Sequence, residues 1–509
     1  MTTRLRRLGG SWQLGLRWWG RREASTPGRG LREAPSPGRS LVERDDSPTV
    51  RYMGKGRRKS RVFVWGFAHT GALGLAAAAR RNAASMQLRP HRLELESESR
   101  ISSAACGYGF TLLSSQTTDI TKLWGMGLNR DSQIGFHRSR QDRTRGYEYV
   151  LEPSPVPLPL EKPQEARVLQ VSCGRAHSLV MTDSEGVFSM GNNAYGQCGR
   201  SIVDSEIYSG SQIIHRIEGV DSRIVEVACG QDHSLFRTNK GEVYSCGWGV
   251  DGQTGLGHNG AVSKPTRVTG DIAGVNIVQI ATYGDFCLAV SAEGDLFGWG
   301  NSEYLQLSTV TESTQVNVPK KLPFKGLGRI KSAACGGTHA AVLNSDGNVF
   351  VWGYGILGKG RNLSESKLPE MIPPTLFGCS EFTSQVRVDR IACGLHHFAA
   401  ITNRGELFVW GKNQRGCLGI GSKDDQYFPW KVGGVVFTSM LFLGLASVDI
   451  DLFLGFVVWV GFFSFSPHYE ILEHMLPNHY SPMPFSFTIQ TPGVRYVKVP
   501  GLGLSLSYH

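Results

Sequence analysis

The sequence predicts an all-β fold, a seven-bladed propeller, from two repeated motifs and the turns between them. The first motif is a short β-type run closing on glycine. It ends in turn at Gly66, Gly125, Gly191, Gly247, Gly300, Gly353 and Gly411, at spacings of 59, 66, 56, 53, 53 and 58 residues. Typical copies are Val62-Phe63-Val64-Trp65-Gly66 and Leu407-Phe408-Val409-Trp410-Gly411. A unit of fifty-odd residues without a long helical pattern cannot bury its own apolar face, so the units must stack into an array.

The second motif runs in phase with the first. It reads Ala105-Cys106-Gly107, Ser172-Cys173-Gly174, Ala228-Cys229-Gly230, Ala334-Cys335-Gly336 and Ala392-Cys393-Gly394, with a degenerate copy at Thr282-Tyr283-Gly284. An apolar strand follows, then a tight turn ending in glycine, as at Ser184-Glu185-Gly186 and Asn403-Arg404-Gly405. Short hairpin loops need a residue at positive φ, which glycine adopts without strain. Next come the Trp-Gly strand and a second turn, such as Asn193-Ala194-Tyr195-Gly196-Gln197-Cys198-Gly199. Several short strands per unit, separated by glycine turns, describe propeller blades.

Ala-Cys-Gly-x-x-His, Gly-x-Val-Phe-x-Trp-Gly and Asn-x-x-Gly-Gln-x-Gly, recurring at constant offset over residues 61–431, resemble the regulator of chromosome condensation family, and within it the mitochondrial branch. The resemblance implies a seven-bladed propeller acting as a guanine-nucleotide exchange factor for a mitochondrial dynamin-like GTPase of inner-membrane fusion. It also implies an alternative: a non-enzymatic mitochondrial ribosome assembly factor associated with large-subunit ribosomal RNA maturation. Expected partners are therefore a mitochondrial GTPase, or ribosome-assembly proteins and ribosomal RNA. Peripheral membrane association is compatible with either, and no DNA partner is expected.

Charge divides the chain. Residues 1–61 hold sixteen Lys/Arg and five Asp/Glu, so the whole net charge of +11 lies there and the remaining 448 residues are neutral. The excess is not a basic domain for nucleic acid. Leu5, Leu8, Trp12, Leu16 and Trp19 recur at helical steps with Arg4, Arg7 and Arg17 nearby, the character of a mitochondrial presequence. Residues 1–60 thus read as a targeting segment and basic linker, 61–432 as the propeller, and 433–509 as a divergent apolar tail. The expected location is the matrix or the matrix face of the inner membrane. The plain alternative for 1–60 is a basic tail without an address, and Lys55 to Arg61 also passes for a nuclear signal.

The ten cysteines include no Cys-x-x-Cys pair and no zinc spacing, and five of them belong to the repeat. They read as small apolar fillers in a reducing compartment. His177, His233, His339 and His397 share one repeat position, which Phe110 and Cys287 fill in other copies. Interchange with Phe argues for a structural histidine rather than a metal ligand or catalytic base. No phosphate loop, zinc signature or nucleophile elbow is present, so neither a cofactor nor covalent catalysis is expected.

Two places break the repeat. Between Gly135 and Pro153 the chain inserts an Arg/Tyr loop in which Arg138, Arg140, Arg143, Arg145, Tyr147 and Tyr149 are the partner-binding candidates. Arginine binds carboxylate or phosphate bidentately, so the loop suits an acidic protein surface or an RNA backbone; the bland reading is a solvated loop. The second break follows Gly421, where a final Cys-Gly-x-x-His unit should close the ring. Instead come two strongly apolar stretches, Val435 to Ser447 and Leu452 to Phe465, separated by Asp449 and Asp451. Each is too short to span a bilayer. Leu452 to Phe465 is the substitute strand on offer, and the closing blade is expected to be incomplete.

Overall fold

The computed structural model describes residues 61–76, 86–95, 101–138 and 146–433, together with the backbone of two strands, Phe442–Leu445 and Gly455–Gly461. The leader therefore lies outside the described residues. The named elements are strands and four short 3₁₀ turns.

Six blades, not seven, are each built from one contiguous run of four antiparallel strands. Blade I comprises Ile101–Cys106, Phe110–Ser115, Leu123–Leu128 and Tyr149–Pro155. Blade II comprises Val168–Cys173, His177–Thr182, Val187–Gly191 and Ile214–Arg216. Blade III comprises Ile224–Cys229, His233–Thr238, Val243–Gly247 and Val262–Arg267. Blade IV comprises Ile277–Tyr283, Phe286–Ser291, Leu296–Asn301 and Gln315–Lys321. Blade V comprises Ile330–Cys335, His339–Asn344, Val349–Tyr354 and Glu365–Met371. Blade VI comprises Val388–Cys393, His397–Thr402, Leu407–Gly411 and Gln426–Lys431. The Cys-Gly strand is innermost in each, and the Trp-Gly strand is third.

A further sheet joins the two ends of the chain, in the order Met86–Leu93, Arg61–Phe67, Gly455–Gly461, Phe442–Leu445. It has four strands, so the expected shortfall is one of sequence motif rather than strand number. Its register follows the other blades. In blade III His233 pairs with Gly247, and Cys229 pairs with Ser234. Here Phe456 pairs with Gly66, and Leu443 pairs with Val457. Phe456 thus takes the His position, and Leu443-Gly444 takes the Cys-Gly position. Ladder hydrogen bonds are made by backbone, so an apolar run without the motif can still fill the slot.

Side-chain latches explain the motifs. The His177 ring reaches the next blade, its Nε2 3.0 Å from Ser234 Oγ, and His233 Nε2 lies 3.2 Å from Cys287 Sγ. A Cβ on Gly174 or Gly230 would sit 2.3 or 2.0 Å from the neighbouring His ring, which is why glycine follows the cysteine. In blade IV the residue at this position is Phe286, which pairs with Gly300, and not Cys287 as the repeat spacing suggests. The connecting turn there is one residue shorter. The third-strand indoles form a second latch: Trp299 Nε1 donates to Gln253 O at 3.0 Å, Trp352 Nε1 to Gln306 O at 2.9 Å and Trp65 Nε1 to Cys417 O at 3.0 Å. The last bond ties the N-terminal strand to blade VI.

Inner strands are linked by a polar belt. Gln170 exchanges two hydrogen bonds with the Val227 backbone, and Gln279 does the same with Ala333. Outer edges are protected differently. In six sheets the outer strand bulges, and Pro90, Pro153, Pro265, Pro319, Pro369 and Pro429 lie in the residues that the register skips. Proline and bulges both blunt a strand edge. Blade II is the exception: its outer strand is three residues long and has no proline.

Candidate partner-binding face

Antiparallel connection puts the first and third turns of every blade on one face, called the front here, and the second turns on the back. The Arg/Tyr insertion is the third turn of blade I and therefore rises from the front. Its base is ordered by an isolated antiparallel bridge, Arg138 to Gly146, and by Tyr147 N donating to His137 O at 2.8 Å. Arg138 is exposed. Arg140, Arg143 and Arg145 lie outside the described residues.

The other candidates have structural work as well. Tyr147 is half-buried against the core of blades I and II. Tyr149 pairs with Leu128 in the ladder, and its hydroxyl accepts from Arg130 Nη2 at 3.0 Å. The Arg130 guanidinium also lies over the Tyr149 ring and beside Glu148. Both tyrosines thus anchor the hairpin. His137, at the start of the loop, has its Nε2 2.9 Å from Ile134 O, and burial lowers its pKa from the ordinary value. The cationic character of the loop accordingly rests on arginine.

Sequence reading missed the neighbouring third turn of blade II, residues 192–213. There Ile202, Val203, Ile207 and Ile213 are 42, 56, 80 and 50 % exposed. The two turns touch. Ser132 Oγ donates to Tyr208 O at 2.8 Å, and a Cβ on Gly146 would lie 3.3 Å from Gly210 Cα. The only sequence trace is the missing proline and short outer strand of blade II, because insertion and strand loss nearly cancel in the repeat length.

Nearer the axis, first turns and the third turn of blade III carry a polar network. Tyr108 Oη donates to Gln231 Oε1 at 3.1 Å, reaching from blade I to blade III. Arg175 grips Asp232 through Nη2 at 2.7 Å and Nε at 3.1 Å. Gln253 Nε2 donates to Asp285 Oδ1 at 2.8 Å. Burial, and then the nearby Asp251 carboxylate, push Asp285 up to about 7. These groups are mutually satisfied and enclose no nucleophile–base pair. The thiols behind them are not activated: burial pushes Cys106 and Cys229 up to about 12, so both are protonated at neutral pH. No three His, Cys, Asp or Glu side chains converge as a metal site among the described residues.

The class defined by this geometry is an all-β propeller with raised turns on its front face. The RCC1-like domain profile matches residues 55–323, and the regulator of chromosome condensation (RCC1) repeat profile matches 330–358, 388–417 and 404–440. The chain belongs to the RCC1 repeat family. It is 68 % identical to the RCC1-like G exchanging factor-like protein of Homo sapiens over 397 residues, covering 76 % of this chain and 85 % of that one. The Mus musculus protein of the same name is 66 % identical over 399 residues, covering 76 and 86 %. Among solved structures, human WBSCR16 superposes with a TM-score of 0.73 at 63 % identity over 79 % of this chain and 99 % of that one. Yeast RCC1 (Prp20), solved bound to Kap60, superposes with a TM-score of 0.64 at 20 % identity over 87 and 97 %, a likeness of fold.

Proposed function

We infer that this chain is a mitochondrial propeller scaffold that promotes guanine-nucleotide exchange on a mitochondrial GTPase, dynamin-like by family resemblance. The carrying observation is the 68 % identity, over most of both chains, to a protein named as an exchanging-factor-like member of the family. Exchange needs no covalent chemistry. A partner that prefers the nucleotide-free GTPase must, by linkage, weaken nucleotide binding by the same factor. A rigid ring with raised front turns suits that task, and the in-register composite sheet supports a ring closed by seven blades. The Arg-rich leader supports import.

The test is release of labelled GDP from purified mitochondrial GTPases with the full chain added. Acceleration on a dynamin-like GTPase is the expected result, and no acceleration on any of them overturns exchange. Import is tested separately, by loss of mitochondrial location on deletion of residues 1–60. The Arg138–Arg145 insertion favours a second reading, ribosome assembly with contact to large-subunit ribosomal RNA, which crosslinking to that RNA would detect.

A further inference from the structure

We propose that the front of blades III, IV and V is a docking surface for a basic protein segment, one that presents arginine or lysine side chains. This goes beyond exchange and holds whether or not the partner is a GTPase. In these turns the residue four places after the strand-ending glycine (Gly191, Gly247, Gly300) stands at the junction with the residue one place after that glycine in the next blade. Tyr195 meets Trp248 in this way, with ring centroids 4.4 Å apart, and Tyr304 meets Tyr354 at 6.1 Å. Tyr304 and Tyr354 are 40 and 48 % exposed. Asp251 holds the corresponding place between the two aromatic pairs, and the next turn adds exposed Glu303 and Glu312. Residues 248–261 and 301–314 contain no lysine or arginine, and none of the three carboxylates forms an ion pair among the described residues. Burial, and then the Glu303 carboxylate, raise Asp251 above its ordinary value, which marks two like charges in reach of each other without a cation between them.

Blade V opens this surface. A Cβ on Gly358 would meet the Trp410 indole as one on Gly255 would meet Trp299, yet Gly358 follows Gly353 by five positions where Gly255 follows Gly247 by eight. The third turn of blade V is thus three residues short, and the place held by Tyr195, Asp251 and Tyr304 in blades II, III and IV is missing. Trp410 Nε1, bonded to the preceding turn at its counterparts Trp299 and Trp352, is left without an acceptor. A second unused donor lies behind Tyr304. Gln306, 1 % exposed, accepts from Tyr304 N at 2.8 Å, while its Nε2 has no partner among the described residues. Its counterpart Gln253 donates to Asp285, but blade V has Thr338 there, whose hydroxyl donates to Tyr354 O at 2.7 Å instead. Tyrosine faces attract cations, and unpaired carboxylates beside them bind arginine or lysine through charge-assisted hydrogen bonds. A protein segment brings those cations together with backbone carbonyls for the Gln306 amide. RNA and anionic lipid bring phosphates, which the carboxylates repel. Lys412 and Arg415 of the blade VI turn bound the acidic arc on one side, and Arg175, held by Asp232, bounds it on the other.

The test uses the full chain and three synthetic peptides of equal length. One combines Arg with Gly and Ser, the second replaces Arg by Gln, and the third replaces Arg by Glu. Fluorescence anisotropy should show binding of the Arg peptide alone, weakening as salt is added. The double variant Tyr304→Leu/Tyr354→Leu keeps apolar bulk and removes the ring faces, while Asp251→Asn/Glu303→Gln keeps shape and removes the charge. Each should weaken binding about tenfold, the scale of a desolvated cation–π contact. Phe382→Ser, at a 94 % exposed position in the connection between blades V and VI on the back, should change nothing. Equal binding of the Arg and Gln peptides, binding indifferent to both double variants, or an equal loss with Phe382→Ser overturns the proposal. So does displacement of the Arg peptide by calcium chloride but not by sodium chloride of equal ionic strength, which would make the carboxylates a metal site. Binding of single-stranded RNA that the same double variants abolish overturns it as well. No GTPase takes part, so failure here leaves exchange to its own test.

Discussion

Blade III and the composite sheet show two ways of making the same object. Blade III is one contiguous run whose motif residues are latched on both sides. Ser172 Oγ accepts from Cys229 N at 2.9 Å on the side of blade II, and Thr282 and Cys287 of blade IV meet His233 on the other. The composite sheet has its outer half from one end of the chain and its inner half from the other. Its outer half is latched like any blade, through Trp65 to Cys417 and through Leu88 packed on Gly416. Its inner half reproduces strand order and register with Leu443, Gly444 and Phe456 in place of the motif. The difference teaches that backbone pairing sets the geometry of a propeller sheet, while the motif residues fasten one blade to the next.

The sharpest way to break this comparison is to remove the residues after 432. That deletes both inner strands of the composite sheet and leaves the edge of Arg61–Phe67 open, with Phe63, Val64 and Trp65 almost wholly buried beside it. Loss of several kcal/mol is expected, a large share of the ~5–15 kcal/mol that holds a domain, with aggregation through the open edge. Unchanged melting and solubility would show that the tail strands do not hold the sheet. In the reverse direction, replacing the tail by the Val388–Thr402 hairpin sequence should raise the melting temperature above that of the natural chain.

A smaller effect separates latched from unlatched indoles. Trp65→Phe and Trp299→Phe each strand a buried carbonyl, whereas Trp410 Nε1 has no acceptor among the described residues. The first two substitutions should cost about 1–3 kcal/mol more than Trp410→Phe by denaturant melts, since all three lose similar volume. Equal losses would mean that packing alone explains the tryptophans.

The histidines give a pH test of the contiguous blades. Burial lowers His177, His233, His339 and His397 to about 3, against an ordinary value of 6.5. Between those values the unfolded chain binds protons that the folded chain does not. Stability should therefore be complete above about pH 6.5 and fall progressively as pH drops toward 3. His339→Phe, which copies the residue found in blades I and IV, should make that acid limb shallower. An unaltered limb would remove His339 from the account.

The smallest effect concerns Leu305, which holds φ 70° in a turn where Gly196, Gly252 and Gly416 occupy the matching place. Left-handed backbone is strained for leucine, so Leu305→Gly should stabilise blade IV by about 0.5–1 kcal/mol. A loss of stability would show that the half-buried side chain matters more than the strain.

The sequence by itself determined the repeat and the all-β class, because hairpin turns and alternating burial are local requirements written in every unit; it misplaced the motif glycine of blade I, where Gly127 and not Gly125 pairs with Phe110. It also located the Arg/Tyr insertion, which lengthens the repeat from within. Tertiary structure decided what no single unit contains. The Leu443-Gly444 and Phe456 positions became legible only once Gly66 supplied a register. Tyr147 and Tyr149 proved to be anchors because their partners come from neighbouring strands. The contact of the blade II turn with the blade I turn, through Ser132 and Tyr208, joins residues 76 positions apart. Local signals arise from φ preference and strand period, which act over a few residues; pairing between the chain ends and contact between adjacent turns depend on ring closure, which brings together residues hundreds of positions apart.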